Sequence, residues 1–507
     1  MSDSRAFAAD LLSGRRKHLD DHVPMRGPAR SPDVVLDETR VAIDELEALR
    51  ASDPEKALRV LREQLQNKKL TDADLVEFIR VWRTAVDDPE AFENNVRSPT
   101  RGLGDWWDKL RAYLHAPSEA DQADATKIGL MSANYKLPAN PMGPGINPHE
   151  RMLETLDPAW VPLLGAKIRE GFWPKFLSAM PRHGASQFTY PAVGPDKKEL
   201  AKGAPIDIAL FADFGTGYYH SWAIAEQLAT WAFPYAFHLG DVYYAGRQNE
   251  FDERFEAPLL QIIDKTRLFG LAENHELYFG GSHYLEYFKR LREAGNTDQE
   301  GSYFCVRFPD HQVIGIDVNW QGRQRFTDGE LQKWLRARLA EAGHRTNILL
   351  SGSAPFDYGD PDARKLLEDV RPLIADGSIG LWFWGDDHYC ALFDRKDDEV
   401  PFFGSCIGHA GYPGPRQTDS LASYKTYPLW FEDEPRFPRW TEMRQDMVNN
   451  GWCHARLQPG GGVDLVYVDW LSCKRAAISF TRNGARLERG QVETFDRETK
   501  PVRYSRS

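Results

Sequence analysis

The sequence predicts an α/β layered domain, and three observations carry the prediction. From Ile206 onward, short runs rich in β-branched and aromatic residues alternate with amphipathic stretches, the pattern of strands alternating with helices. These runs fall at 206–212, 235–239, 267–271, 313–317, 347–351 and 380–384. Several of them end on a glycine or a polar residue capable of binding a cation, whereas the periodicity before residue 200 is helical instead.

Taken in order, residues 1–35 are polar and charged and are expected as a flexible arm, with Arg15-Arg16-Lys17 as a solvated patch. Residues 36–200 are expected as a helical region. Leu58, Leu61 and Leu65 fall at helical spacing, and Thr71 precedes a stripe of Leu75, Phe78, Ile79 and Trp82 as a plausible N-cap. Asp105-Trp106-Trp107 opens another helix with core-packing aromatics, 138–148 is a loop rich in Pro, Gly and Asn, and a further helix is expected over 158–180. The α/β domain is expected over 201–415. Strand-like pieces at 463–468 and 477–481 make 416–507 a β-rich C-terminal appendage.

Composition narrows the function. With 507 residues the chain has room for two or three domains, and 42% hydrophobic with 27% charged residues reads as soluble and globular. No apolar run approaches the ~18 residues of a membrane span, and Met1-Ser2-Asp3-Ser4-Arg5 begins no secretory signal, so a cytoplasmic location is expected. Five cysteines, an odd number without CxxC spacing, read as reduced thiols. A net charge of −12 argues against general nucleic-acid binding. It leaves room for a small phosphorylated substrate, because a metal site supplies its own positive charge. The oligomeric state stays open.

The most informative stretch is His238-Leu239-Gly240-Asp241-Val242-Tyr243-Tyr244, an apolar run that ends in glycine and then a carboxylate. Open α/β sheets present ligands at such strand ends. It sits between Leu210-Phe211-Ala212-Asp213-Phe214-Gly215 and Asn274-His275-Glu276, and Trp382-Phe383-Trp384-Gly385-Asp386-Asp387-His388 follows.

In this order, the four blocks resemble the calcineurin-like metallophosphoesterases, and within them the purple-acid-phosphatase pattern, over residues 206–415. The resemblance implies a four-layer α/β/β/α sandwich and a metal-dependent phosphoester hydrolase that uses metal-bound hydroxide. Two ions about 3.5–4 Å apart would share the work of activating water and offsetting phosphoryl charge. For the first ion it implies Asp213, a bridging Asp241, a phenolate from Tyr244, and His388, a set that favours iron.

For the second ion it implies Asn274, with Asp386 at the place of one histidine. The family's histidine pair after Leu349-Leu350-Ser351 is here Gly352-Ser353, and Glu273 stands where the family has glycine. Such an oxygen-rich site suits Mn or Mg better than Zn. Three outcomes stay open: Mn, Mg or Zn is bound, an ion arrives only with substrate, or the second site is empty. His275 is implied as the catalytic group that stabilises transition-state charge and protonates the leaving oxygen. His409, His220 and Asn319 are candidate substrate contacts, with packing as the competing reading. Two alternatives to hydrolysis remain: a hydrolytically silent binding module, and a repurposed mononuclear iron enzyme with non-hydrolytic chemistry.

Overall fold

A computed structural model of the chain describes residues 32–64, 71–87, 188–194, 198–216, 219–243, 246, 248–263, 265–278, 281–320, 325–356, 365–396, 399–412, 428–434, 448–496, 502 and 504. The chain divides into two compact units, one of residues 1–174 with 439–444, the other of residues 175–438 with 445–507.

In the first unit the described residues form three helices, Pro32–Ser52, Pro54–Gln64 and Asp72–Asp87. Ile43, Leu46, Leu58, Leu61, Leu75, Phe78 and Ile79 are buried, as an apolar stripe facing neighbouring helices requires. Arg83 bridges Asp44 at 2.5 Å and Glu47 at 2.7 Å, linking the first helix to the third. The side chains of Leu65 and Trp82, residues 1–31 of the arm expected over 1–35, and the segments expected over 105–110, 138–148 and 158–180 lie outside the described residues; residues 32–35 of that arm begin the first helix.

The second unit holds two large sheets. Its strands are β1 (Thr189–Pro191), β2 (Ile206–Phe211), β3 (Tyr235–His238), β4 (Arg267–Gly270), β5 (Phe304–Arg307), β6 (His311–Ile316), β7 (Thr346–Ser351) and β8 (Ile379–Trp384). They continue with β9 (Cys390–Phe393), β10 (Phe403–Ile407), β11 (Pro428–Phe431), β12 (Gly451–Leu457), β13 (Val463–Asp469), β14 (Lys474–Asn483), β15 (Arg486–Arg489) and β16 (Glu493–Thr494). One sheet runs β1-β5-β6-β7-β8-β10-β9-β11; the other runs β15-β14-β13-β12-β2-β3-β4, with β16 beside β14. Strands β6, β7, β8 and β10 are parallel, as are β2, β3 and β4.

Side-chain alternation explains the layers. Leu350, Leu381 and Phe383 join Leu210, Phe237, Phe269, Leu465 and Ile478 in the core between the sheets. Leu349, Trp382 and Trp384 point the other way, onto Trp334, Leu335, Leu366 and Val370 of helices Gly329–Ala340 and Lys365–Ile374. Strands buried on both faces read as unbroken apolar runs, which is why residues 348–350 of β7 and 381–384 of β8 lack a polar alternate. On the outer face of the other sheet, His238 meets Phe255 of the helical segment Phe251–Glu256 at 4.6 Å. The result is helices, sheet, sheet, helices, an α/β/β/α sandwich.

Two further boundaries differ from the expectation. Residues 189–191, placed in a helical region running to 200, form β1 and pair in parallel with β5. Residues 451–489, expected within an appendage, are four strands of the second sheet, joined to the domain because β12 pairs antiparallel with β2 from Leu457↔Ile206 to Cys453↔Leu210. The parallel strands β2–β4 alone would leave the edge of β2 open and half of the inter-sheet core uncovered.

All five cysteines are buried free thiols. Among the described residues, no helix is long and apolar enough to cross a membrane.

Candidate metal centre

Four strand ends meet at one place. Asp213 follows β2, Asp241 follows β3, Asn274 and His275 open the short helix Asn274–Tyr278 after β4, and Asp386 and His388 follow β8. The loops are stitched together through their backbones. Asp213 N–H donates to Gly240 O at 3.0 Å, Tyr243 N–H to Gly215 O at 3.0 Å, and Gly385 N–H to Gly352 O at 2.9 Å. Ala410 N–H donates to Ala212 O at 3.0 Å, which ties one sheet to the other beside Asp213. A Cβ on Gly408 would lie 2.9 Å from Asp213 Oδ2, so the missing side chain leaves room for this carboxylate.

Asp213, Asp241 and Asp386 share an unusual backbone, with φ of 58°, 76° and 65°. Left-handed φ at a residue with a side chain costs on the order of 1–3 kcal/mol and persists only where surroundings enforce it, most often at functional sites. Of the six non-glycine residues with positive φ among the described residues, these three are carboxylates at strand ends.

Donor atoms of Asp213, Asp241 and His388 all lie within 4.8 Å of one another. His388 Nε2 is 3.3 Å from Asp213 Oδ1, and Asp386 N–H donates to Asp213 Oδ2 at 3.1 Å. Into this group projects the phenol of Tyr243. It donates to Asp213 Oδ1 at 2.5 Å and lies 3.3 Å from Asp241 Oδ2 and 3.1 Å from His388 Nε2. Tyr244, the phenolate implied by the family spacing, lies outside the described residues; the phenol found at the cluster belongs to its neighbour. Val242 bridges Gly215, and this pairing fixes the residue that follows it beside the cluster. Tyr412 was also missed. Its ring stacks on His388 at 3.6 Å, and its N–H donates to Asp213 O at 3.0 Å.

The electrostatics fit a cation. Burial works to raise the Asp213 carboxyl, but the hydrogen bond and charge of His388 outweigh it and hold the group below the usual carboxylate range. Asp241 is pushed well up, by burial first and then by the charges of Asp213, Glu276, Asp386 and Glu273. Tyr243 is raised for the same reasons, burial and then Asp213 and Asp241. Buried carboxylates that repel one another are stabilised by a divalent ion among them. Two carboxylates, an imidazole and a phenol oxygen therefore fit the first ion.

His275 is buried, its ring 4.3 Å from that of Tyr243, and its N–H donates to Asp241 Oδ1 at 3.4 Å. Asn274 and Asp386 are half-buried at the ends of their strands.

Residues implied for the second ion are arranged otherwise. Glu273 is 0% exposed, and its Oε1 accepts from Ser353 Oγ at 2.7 Å. A Cβ on Gly352 would lie 2.3 Å from Glu273 Oε2. Both positions of the family's histidine pair thus face the Glu273 carboxyl, and an imidazole-lined second site does not fit.

The three candidate substrate contacts are all buried. Asn319 is buried and donates through Nδ2 to Ser353 Oγ at 2.9 Å. His220 is buried with its ring edge-on to Trp470 at 5.1 Å, a packing role at the end of β13. His409 packs against the start of β12, where a Cβ on Gly451 would lie 2.9 Å from its Nε2, and burial drops its pKa to about 4. In each case the neighbour is distant in sequence: Ser353 for Asn319, Trp470 for His220 and Gly451 for His409.

No protein-family model matches the sequence, and no curated protein matches it. Solved structures are similar to it. A purple acid phosphatase from yellow lupin (Lupinus luteus) seeds is 13% identical, with 54% of this chain and 53% of that one covered at a TM-score of 0.41. PhoD is 11% identical, with 62% and 76% covered and a TM-score of 0.43. A dimetal phosphatase from Danio rerio is 14% identical, with 52% and 95% covered and a TM-score of 0.36. The chain spans about half the length of the lupin phosphatase, and all three have metallophosphoesterase-type folds.

Proposed function

We propose that the protein is a metal-dependent phosphoester hydrolase acting on a small phosphorylated substrate. The observation that carries this reading is the convergence of Asp213, Asp241 and His388 donor atoms within 4.8 Å at strand ends, with the Tyr243 phenol among them. Asp213, Asp241, Tyr243 and His388 would hold the cation, and a phenol oxygen in the set favours iron. When bound, the cation supplies a water acidic enough to ionise near neutral pH and offsets charge on phosphoryl oxygens.

The chain's own residues supply the rest. His388 is partly open to solvent, with 19% of its side chain exposed, so the cluster can be approached from that side. His275, held against Tyr243 and Asp241, is placed to donate a proton or hydrogen bond to the substrate as negative charge moves to the leaving oxygen. The fixed donors around Asp213 keep its carboxylate oriented without reorganisation during turnover.

The test is hydrolysis of aryl phosphate monoesters and diesters by the full chain with Fe, Mn, Zn or Mg added. The expected result is metal-dependent turnover that falls at least about a hundredfold in Asp213→Asn and Asp241→Asn. Metal bound in normal amount with no turnover of either ester class would overturn the reading in favour of a silent binding module. Oxygen consumption at a bound iron would favour non-hydrolytic chemistry.

A further inference from the structure

We infer that this centre is built for a single cation, and that the Glu273 side chain occupies the space which a second ion and its imidazole ligand would need. The inference rests on reading the Asp213–Asp241–Tyr243–His388 cluster as a metal centre, and it specifies how many ions that centre takes.

Glu273 leaves the end of β4, and its carboxyl reaches the end of β7. There Ser353 Oγ donates to its Oε1 at 2.7 Å, and Ser353 in turn accepts from Asn319 Nδ2, at the end of β6, at 2.9 Å. One buried carboxyl therefore ties three strand ends together. The Ser353 hydroxyl gives its proton to Glu273 and receives one from Asn319, so it is committed within this chain of contacts.

The side chain also fits between two glycines. A Cβ on Gly240 would lie 2.7 Å from Glu273 Cβ, and a Cβ on Gly352 would lie 2.3 Å from Oε2, 3.1 Å from Cδ and 3.2 Å from Leu239 O. Contacts below 3 Å are not tolerated without displacement. A histidine at 352 would thus require the Glu273 carboxyl to leave its place beside Ser353, and the chain carries the pair Gly352 and Glu273.

The donor geometry agrees. Among the His, Cys, Asp and Glu side chains of the described residues, Asp213, Asp241 and His388 form the one group of three with donor atoms all within 4.8 Å of one another, and Glu273, Glu276 and Asp386 are not part of it. Asp386 turns its N–H toward Asp213. Glu273 Oε2 has no hydrogen-bond partner, as expected for an atom packed against the bare α-carbon of Gly352.

The experiment counts ions in the full chain. The purified protein is saturated in turn with Mn2+, Zn2+ and Fe2+, freed of excess by gel filtration, and assayed for metal per chain, with Mn2+ binding followed in parallel by electron paramagnetic resonance. The expected result is one ion per chain and no spin coupling between manganese ions. Two ions per chain in the wild type would overturn the inference while leaving the proposed hydrolase intact. No bound ion would overturn both.

Stability tests the exclusion independently. Gly352→His should lower Tm by at least about 5 °C, and adding Glu273→Gly to it should recover much of the loss. A Gly352→His protein as stable as the wild type would overturn the inference.

Discussion

Tyr243 gives its phenol proton to Asp213 Oδ1 across 2.5 Å, while its oxygen stays within 3.3 Å of Asp241 Oδ2. This places the phenol of residue 243 where a metal would take it as phenolate. With iron bound, the protein should show a visible tyrosinate-to-iron absorption band. Tyr243→Phe should abolish it and Tyr244→Phe should retain it, at equal iron per chain. The reverse pattern would assign the ligand to residue 244.

His275 touches the cluster without belonging to it. Its ring lies 4.3 Å from Tyr243, and its link to Asp241 is through the backbone N–H. His275→Asn should therefore lower kcat about 10²- to 10⁴-fold and leave the bound metal unchanged. A loss of metal along with activity would show that the residue holds the site together.

His311 predicts the acid sensitivity of the fold. It is buried on β6, its Nε2 is 2.9 Å from Gly462 O, and burial lowers its pKa to about 4. Of the facing charges, Asp310 raises the value and Arg482 lowers it. An unfolded histidine titrates near 6.5, so the folded chain binds fewer protons between these values. The contribution is complete above pH 6.5 and is lost as pH falls through 4, amounting to about 3 kcal/mol. Urea unfolding at pH 7.5 and pH 4.5 should show it, with a smaller difference in His311→Gln. An equal difference in both proteins would assign the acid sensitivity to other groups.

The C-terminal strands carry a prediction about boundaries. Cys453, Ala455, Leu465, Tyr467, Ile478 and Phe480 all belong to the core between the sheets. A chain ending at residue 415 should lose cooperative thermal unfolding and bind hydrophobic dye. A soluble truncated protein with a sharp transition would mean that β12–β15 are dispensable.

Local signals made the sheets and the site legible to different degrees. Strands such as β7 and β8 are visible as apolar runs because they are buried on both faces, and each runs straight into a loop bearing Gly352 or Asp386. Asp213, Asp241 and His388 could be singled out because each stands one to four residues beyond such a run. What escaped the sequence depends on partners far along the chain. The neighbours of His220 and His409 are Trp470, just past β13, and Gly451, at the start of β12. Glu273 looks like misplaced bulk until its carboxyl is seen beside Gly352, 79 residues later. The choice between Tyr243 and Tyr244 turns on the backbone direction after Asp241, and its positive φ makes that direction unreadable from spacing alone.

The three aspartates with left-handed backbones also govern how the centre can be probed. Asparagine tolerates that conformation nearly as well as aspartate does, while alanine resists it. Alanine scanning at positions 213, 241 and 386 would blend a deformed loop with a missing charge and overstate the role of each side chain. Amide-for-acid exchange changes charge and leaves the chain path alone, so it is the cleaner instrument for ranking these positions.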